Sequence, residues 1–507
     1  SVFGLASAQP STGFVGCAQL MEKSTFKRRL MFVVCLLMCG LSIQAADDGL
    51  ITDQVIIDKL VAGTLPQRIS SDEKYLITNL KINGEINGTD LGFIREMARS
   101  DYNFETETYR LANLSILDLS DAKFVSGGDY YYSNYDHYDY DLDETFYNYY
   151  FTKNNEISDY AFYGCDGLRS LTLPTNITLI GNHAFGVCRN LATLNIPSNV
   201  TSIGDCAFSD CYNLKSIDLP SSLTSIGGGA FSGCNYLSSL NFPSSLSEIG
   251  ESAFSSCNSL KSVTLPPNLT SISNRAFYSC DSLKSVIIPS GLTSIEPNAF
   301  EECERLSNVT FPSSPFSIGD YAFRGCRFTS LTLPSSLTEI GIEAFAHCKG
   351  LKSLTLSPSL SRIGYNAFGD CDRLTTLTIP SGLTSLSTLN GDSEYHYDLF
   401  SESDIESVYV AWEVPIPAGG FFYYVNLSNC TLYVPQGTRQ RYSGTEVWRD
   451  FGEIKEYDIS GVDKVDNHSE AKEASRYSLD GQRLSVPVKG LNIVRYSDGS
   501  IKKVVVN

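Results

Sequence analysis

The sequence predicts a solenoid, one elongated body in which short parallel strands stack turn upon turn, and three observations carry that expectation. First, Ala-Phe-x-x-Cys recurs ten times up to Cys371, with Phe at 162, 185, 208, 231, 254, 277, 300, 323, 345 and 368, stepping by 23 residues and once by 22. Second, each period holds one strand-sized apolar run closed by proline, as in Leu168-x-x-Leu171-x-Leu173-Pro174, Leu191-x-x-Leu194-x-Ile196-Pro197 and Leu260-x-x-Val263-x-Leu265-Pro266. Third, the 507 residues would suggest several domains by length alone, yet a stack of turns absorbs length without starting a new core.

A period near 23 residues with a Leu-x-x-Leu-x-Leu strand is the leucine-rich repeat layout. The fold class predicted is therefore a leucine-rich repeat solenoid of α/β class, mostly short parallel strands, with N- and C-terminal caps and a small C-terminal β segment.

Residues 1–20 precede an initiator-like Met21, carry no targeting logic and are expected to lie outside the native protein. From Met21 a basic stretch (Lys23, Lys27, Arg28, Arg29) leads into an apolar run from Leu30 to Ile43, then Ala45 and Ala46. These are the three parts of a secretory signal peptide, so 21–46 is read as a leader. The run is too short to span a membrane, and no later stretch reaches the roughly 18 apolar residues a span requires.

Residues 47–125 read as an N-terminal cap with irregular repeats. Ile51, Val55, Ile56 and Leu60 predict a short amphipathic helix, and Leu76–Gly84 a strand. Thr89 or Asp90 can then cap a helix through Phe93, Ile94 and Met97, before a second irregular repeat at Leu114–Ser120. Residues 126–155, crowded with Tyr and Asp, show no helical or strand period and are expected to form a long loop extruded from one side.

Ten regular repeats occupy 156–390, an array on the order of 45 Å if strands stack at about 4.8 Å. Alternation turns Leu171 and Leu173 inward and Ser170 and Thr172 outward; Ser262 with Thr264, Ser330 with Thr332 and Ser353 with Thr355 follow suit. Asn195, Asp218, Asn241 and Ile287 interrupt this Ser/Thr face. Leu223 with Ile226, and Leu246 with Ile249, turn inward after each Pro, and the Gly of Ile-Gly suits a tight corner. Of 15 cysteines, Cys17, Cys35 and Cys39 fall in or before the leader; ten form the ladder, with Cys206 and Cys430 besides. In-register turns hold neighbouring Cβ atoms at about 4.8 Å, beyond the usual ~3.5–4.5 Å of a disulfide, so reduced thiols acting as small apolar fillers are expected.

Residues 391–457 read as atypical terminal repeats and a C-cap, in which Tyr442, Trp448 and Phe451 close the core. A polar linker follows at 458–475. From 476 to 507 the pattern alternates like two or three strands, with Asp480-Gly481 and Asp498-Gly499 as hairpin turns.

The unit Ile-Gly-x-x-Ala-Phe-x-x-Cys-x-x-Leu-x-x-Leu-x-Leu-Pro resembles the BspA-type leucine-rich repeat family, surface and secreted proteins best known from Bacteroidetes and some mucosal protozoa. The resemblance covers about 75–457, including Leu432-Tyr433-Val434-Pro435 and Val447-Trp448-Arg449-Asp450-Phe451. It implies adhesion to host matrix proteins or other bacteria, and offers no catalytic residues to carry over. Tyr477-Ser478-Leu479-Asp480-Gly481-Gln482-Arg483 and Lys489-Gly490-Leu491-Asn492-Ile493-Val494-Arg495 are similar to the C-terminal sorting segments of Bacteroidetes type IX secretion cargo.

Charge narrows the partners: 38 Lys+Arg against 57 Asp+Glu, net −19, disfavours nucleic acid and anionic membranes. A protein, a neutral glycan or a basic ligand suits it better. His137, His183, His347, His396 and His468 are scattered outside any metal or nucleophile motif, so neither an enzyme nor a cofactor is predicted. Asp139-x-Asp141-x-Asp143 begins like a calcium loop, but Glu144 and Tyr150 stand where the turn Gly and bidentate Glu belong, so no metal site is assigned.

Tyrosine is a low-entropy interface anchor, which makes Tyr131, Tyr132, Tyr135, Tyr138, Tyr140, Tyr395 and Tyr397 candidate binding residues. Thr172, Asn195, Asp218, Asn241 and Thr264 on the strand face complete the set. The competing reading folds the insert back so that its tyrosines cover the repeat edge. The expected function is adhesion to a host or bacterial protein or glycan; the alternative is a structural component of the envelope or matrix.

Overall fold

A computed structural model describes residues 49–103, 108–139, 144–384 and 399–458, and the C-terminal strand residues 473–477, 483–484, 490–496 and 501–506. The repeats wind as a three-sided solenoid around one continuous apolar core. On the first side lie the predicted strands, such as Ser170–Thr172, paired in parallel with Ile116–Asp118 before it and Thr193–Asn195 after it. The second side carries two-residue strands from the Ser-Ile positions, with Ile157, Ile180, Ile203, Ile226 and Ile249 in register.

Ala-Phe-x-x-Cys builds the third side. Backbone amides reach from turn to turn there, Phe162 to the Ala184 carbonyl, Phe185 to Ala207 and Phe208 to Ala230, each at 2.7 Å. Two backbone positions per turn are left-handed, one at Tyr160, His183, Cys206 and their counterparts (φ +58°, +53°, +52°), the other at Val187 and Asp210 (φ +61°, +58°). Such a conformation costs a non-glycine residue about 1–2 kcal/mol. The cost is offset by the ladder bonds that the kink directs.

The core repeats with the period. Phe162 through Phe368 are buried and stack face to face along the axis at centroid distances of 5.0 to 5.5 Å. Phe400 extends the column at 6.0 Å from Phe368, across a step of 32 residues. Leu399-Phe400-Ser401-Glu402-Ser403 thus replaces Ala-Phe-x-x-Cys, with Glu402 left-handed at φ +54°.

Five expectations need correction. Val55–Leu60 is a strand rather than a helix, paired in parallel with Asn79–Ile86. Its β-branched Val-Ile-Ile favours the pleat, and the neighbouring strand supplies the hydrogen bonds. The helix Gly88–Ala98 is capped by Asn87, whose side chain accepts from Thr89 and Asp90 amides while Asp90 accepts from the Asn87 amide. The insert at 126–155 contains a β-hairpin, Tyr132–Asp139 against Glu144–Tyr150.

The fourth correction concerns the corner glycines. Gly181 and Gly227 have ordinary backbone angles, but a Cβ on Gly227 would stand 2.6 Å from the Asp205 nitrogen. They are glycine because successive turns approach too closely for a side chain. Where Ser273 takes that place, the second-side ladder breaks between Ile249 and Ile272, and the Ser273 hydroxyl donates to the Ile249 carbonyl at 2.6 Å.

Finally, the first side is not one array. Pairing there thins to a single bridge, Ser216 to Ser239, and it resumes as Ser262–Thr264, Ser285–Ile287 and Asn308–Thr310. A further sheet runs from Ser330–Thr332 to Glu453–Tyr457. Asp218 and Asn241, poor strand formers, occupy the thin stretch.

Tyr442, Trp448 and Phe451 are buried and close the C-terminal end as expected. The C-terminal strands form a separate antiparallel sheet of four, Arg483–Leu484, Glu473–Tyr477, Gly490–Tyr496 and Ile501–Val506 in spatial order. Its register brackets Asp480-Gly481 and Asp498-Gly499, which lie outside the described residues.

Candidate binding surfaces

The hairpin insert faces two ways. Tyr131 is buried, and its hydroxyl donates to the Asp159 carbonyl at 2.6 Å. Burial, and then the Asp159 charge, push its phenol well above the ordinary tyrosine range. Tyr132 stacks on Tyr160 at 4.8 Å, and Tyr160 stacks on His183 at 4.6 Å. Beneath them Arg95, itself buried, donates to the Tyr160, Ala161 and Tyr163 carbonyls and lies 4.9 Å from the Tyr132 ring centre. Desolvation, then the neighbouring Tyr150, push the Tyr160 phenol up to about 12.

Tyr131 and Tyr132 therefore anchor the insert, as the fold-back reading expected. Tyr135 and Tyr138 lie on the first hairpin strand, and Tyr140, Tyr395 and Tyr397 fall outside the described residues.

The solvent side of the insert is built by residues not singled out from the sequence. Tyr147, Tyr149 and Phe151 alternate along the return strand and beyond it, each about half exposed, with Tyr130 edge-on to Tyr149 at 4.8 Å. Their signal was the period of two in Tyr147-Asn148-Tyr149-Tyr150-Phe151, obscured by the density of tyrosine around it.

On the strand side, Asn195, Asp218, Asn241 and Thr264 are exposed and Thr172 is half-buried, all facing outward as expected. Thr172 and Asn195 are register partners, and the Asn195 side-chain oxygen Oδ1 accepts the Leu173 amide at 3.0 Å. Asn195 thus closes the strand end as well as facing solvent. Towards the C-terminus the outward column turns aromatic: Tyr409 and Tyr433 stack at 4.3 Å with 6° between planes.

Among the described residues no group of His, Cys, Asp and Glu could hold a metal ion, and no helix is long and apolar enough to cross a membrane.

Residues 155–284 and 270–390 match the BspA type leucine rich repeat region, in six copies. Among solved structures, a leucine-rich repeat protein from Bacteroides ovatus is 28% identical over 60% of this chain and 88% of its own, with a TM-score of 0.44. A leucine rich cell surface protein from Faecalibacterium prausnitzii is 26% identical over 61% and 84%, TM-score 0.36. The T. pallidum leucine rich repeat protein is 33% identical over 34% of this chain and 69% of its own, TM-score 0.26. No curated protein matches. The repeats at 155–390 of this chain thus belong to the BspA-type leucine-rich repeat family.

Proposed function

We propose that this protein is an exported, surface-displayed binder that adheres to host or bacterial protein or glycan ligands, with 21–46 as its leader and the C-terminal sheet as its sorting segment. The observation that supports this most is the exposed aromatic group Tyr130, Tyr147, Tyr149 and Phe151, held on a hairpin whose inner tyrosines are locked to the solenoid. Large rings held rigidly bind at little entropic cost, and they stack on sugars as readily as on apolar side chains. The Ser/Thr strand face offers a second, hydrogen-bonding surface.

The anchoring of Tyr131 and Tyr132 dictates how the hairpin is tested. Removing all of 127–155 would unroof the core, so the cut belongs beyond the Ser133–Tyr149 pair. Replacing 134–148 by a two-residue turn, and separately making Tyr147→Ser with Tyr149→Ser, is expected to leave cooperative unfolding intact. Both changes should weaken retention on a matrix-protein and glycan array at least tenfold. An array on which the parent chain binds nothing saturably favours the structural role instead, and undiminished binding by both variants removes the hairpin from the site.

A further inference from the structure

The one turn of 22 residues has a structural consequence on the ridge between Cys and strand. Other regular turns place five steps from Cys to the strand Ser, as Cys165 to Ser170; Cys326-Arg327-Phe328-Thr329-Ser330 has four. Phe328 fills the position of the usual Leu, buried edge-on between Phe323 and Phe345. The ridge is one residue short there, and a groove of about 860 Å³ opens at that point, lined from four successive turns.

The lining runs against the charge of the molecule. Arg327, Lys349, Lys352 and Arg373 border the groove, all exposed, in a chain of net charge −19. None of the four takes part in an ion pair of the described residues. Arg324, by contrast, is committed to Glu301, Glu302 and Glu343 at 3.2 to 3.4 Å and forms a fixed wall.

The position directly after Cys reads Glu304, Arg327, Lys349, Asp372 over the four turns, so two cations stand between two acids. The Phe column places those turns 5.3, 5.3 and 5.4 Å apart. A long polyanion would run into the acids at each end, whereas a short ligand with its negative charge in the middle would meet only cations.

Apart from the His347 imidazole, about 33% exposed, no exposed ring or aliphatic side chain lines the groove, which also takes in Gly325, Gly350 and Thr329. Peptide interfaces draw much of their binding energy from buried apolar or aromatic anchors, and no Phe, Tyr, Trp or aliphatic side chain lines this groove to receive one. A short saccharide bearing an acidic group needs no such anchor, since its hydroxyls and its charge can bind through hydrogen bonds alone.

We infer that the groove at the short turn is a binding site for a short acidic saccharide, one bearing a sulfate or carboxylate group. Arg327 and Arg373 supply planar forks to the oxyanion, and Lys349 and Lys352 act as flanking point charges. The site is separate from the aromatic hairpin and stands without it.

Titration calorimetry of the full chain with a heparin-derived sulfated disaccharide tests the inference, beside its desulfated form and an Asp/Glu hexapeptide. Saturable binding of the sulfated sugar is expected, with the desulfated form at least tenfold weaker. Lys349→Glu with Arg373→Glu should weaken it about tenfold or more, as loss of charge-assisted bonds does, and so should salt near 0.5 M. Lys352→Gln alone should weaken it in the same direction with the thermal transition unchanged, which guards against misfolding of the double variant. Lys215→Glu with Lys261→Glu, on distant turns, should leave it intact. Absence of saturable binding, equal or tighter binding of the hexapeptide, or indifference to the Lys349 and Arg373 changes would overturn the inference.

Discussion

The ladder cysteines are hydrogen-bond donors as much as fillers. Each thiol from Cys188 to Cys371 lies 3.0 to 3.5 Å from the Phe carbonyl of the turn before, as Cys234 does from Phe208 at 3.2 Å. Size alone would have allowed Ala or Val there; the thiol adds a second donor to a buried carbonyl that already accepts the Cys amide of its own turn, as Phe208 accepts Cys211 at 3.2 Å. Ser403 makes the point independently, since it stands in the Cys position of the Phe400 turn and its hydroxyl donates to the Phe368 carbonyl at 3.4 Å. Cys234→Val, similar in volume but unable to donate, should therefore destabilise the chain by about 0.5–1.5 kcal/mol, the net worth of one hydrogen bond, because the Phe208 carbonyl keeps the Cys211 amide at 3.2 Å. Urea unfolding measures it, and a variant as stable as the parent would return the cysteines to mere packing.

At the level of the turn, two kinds of glycine separate. Gly227→Ala forces a methyl group to within 2.6 Å of backbone atoms in the turn before, where nothing flexible can give way. Gly291 has ordinary backbone angles and nothing within 4 Å of its Cβ position. The first change is expected to lower stability by about 1–3 kcal/mol, by forcing strain and backbone shifts, and the second to be neutral or to raise stability by up to about 1 kcal/mol. Parallel denaturation curves decide; equal effects would show that the turns can slide apart. Tyr131 and Tyr147 both lie in tyrosine-rich sequence, and it is the Asp159 carbonyl accepting the Tyr131 hydroxyl, with Arg95 of the helix Gly88–Ala98 against the Tyr132 ring, that turns Tyr131 inward.

For the whole molecule, stacking multiplies a small property. Burial raises the pKa of Cys165 to about 11 and of Cys371 to about 12, and that of Cys188, Cys211, Cys234, Cys257, Cys303, Cys326 and Cys348 well above the ordinary thiol value of 9.0. Since the folded values lie above the unfolded one, this stability is fully present below about pH 9 and drains away as pH rises through the folded values. Each thiol loses about 1.4 kcal/mol per pH unit inside that window. The urea midpoint should accordingly stay level from pH 7 to about 8.5 and fall steeply above it. A midpoint that holds level to pH 11 would contradict the burial of the ladder.

The solenoid, its period and the inward set of Leu, Ile, Ala, Phe and Cys follow from the residue order alone, because a spacing repeated ten times stacks its apolar side chains in one column. It also placed Thr172, Asn195, Asp218, Asn241 and Thr264 outward, since strand alternation is local. Properties that arise between turns or between distant segments depend on the folded chain. Gly227 is glycine because of Asp205, Cys234 is cysteine because of the Phe208 carbonyl, and Val55–Leu60 is a strand because Asn79–Ile86 lies beside it. The groove at Arg327 belongs to the same class. A missing residue is visible in the count, but the opening it leaves depends on four neighbouring turns closing around the gap.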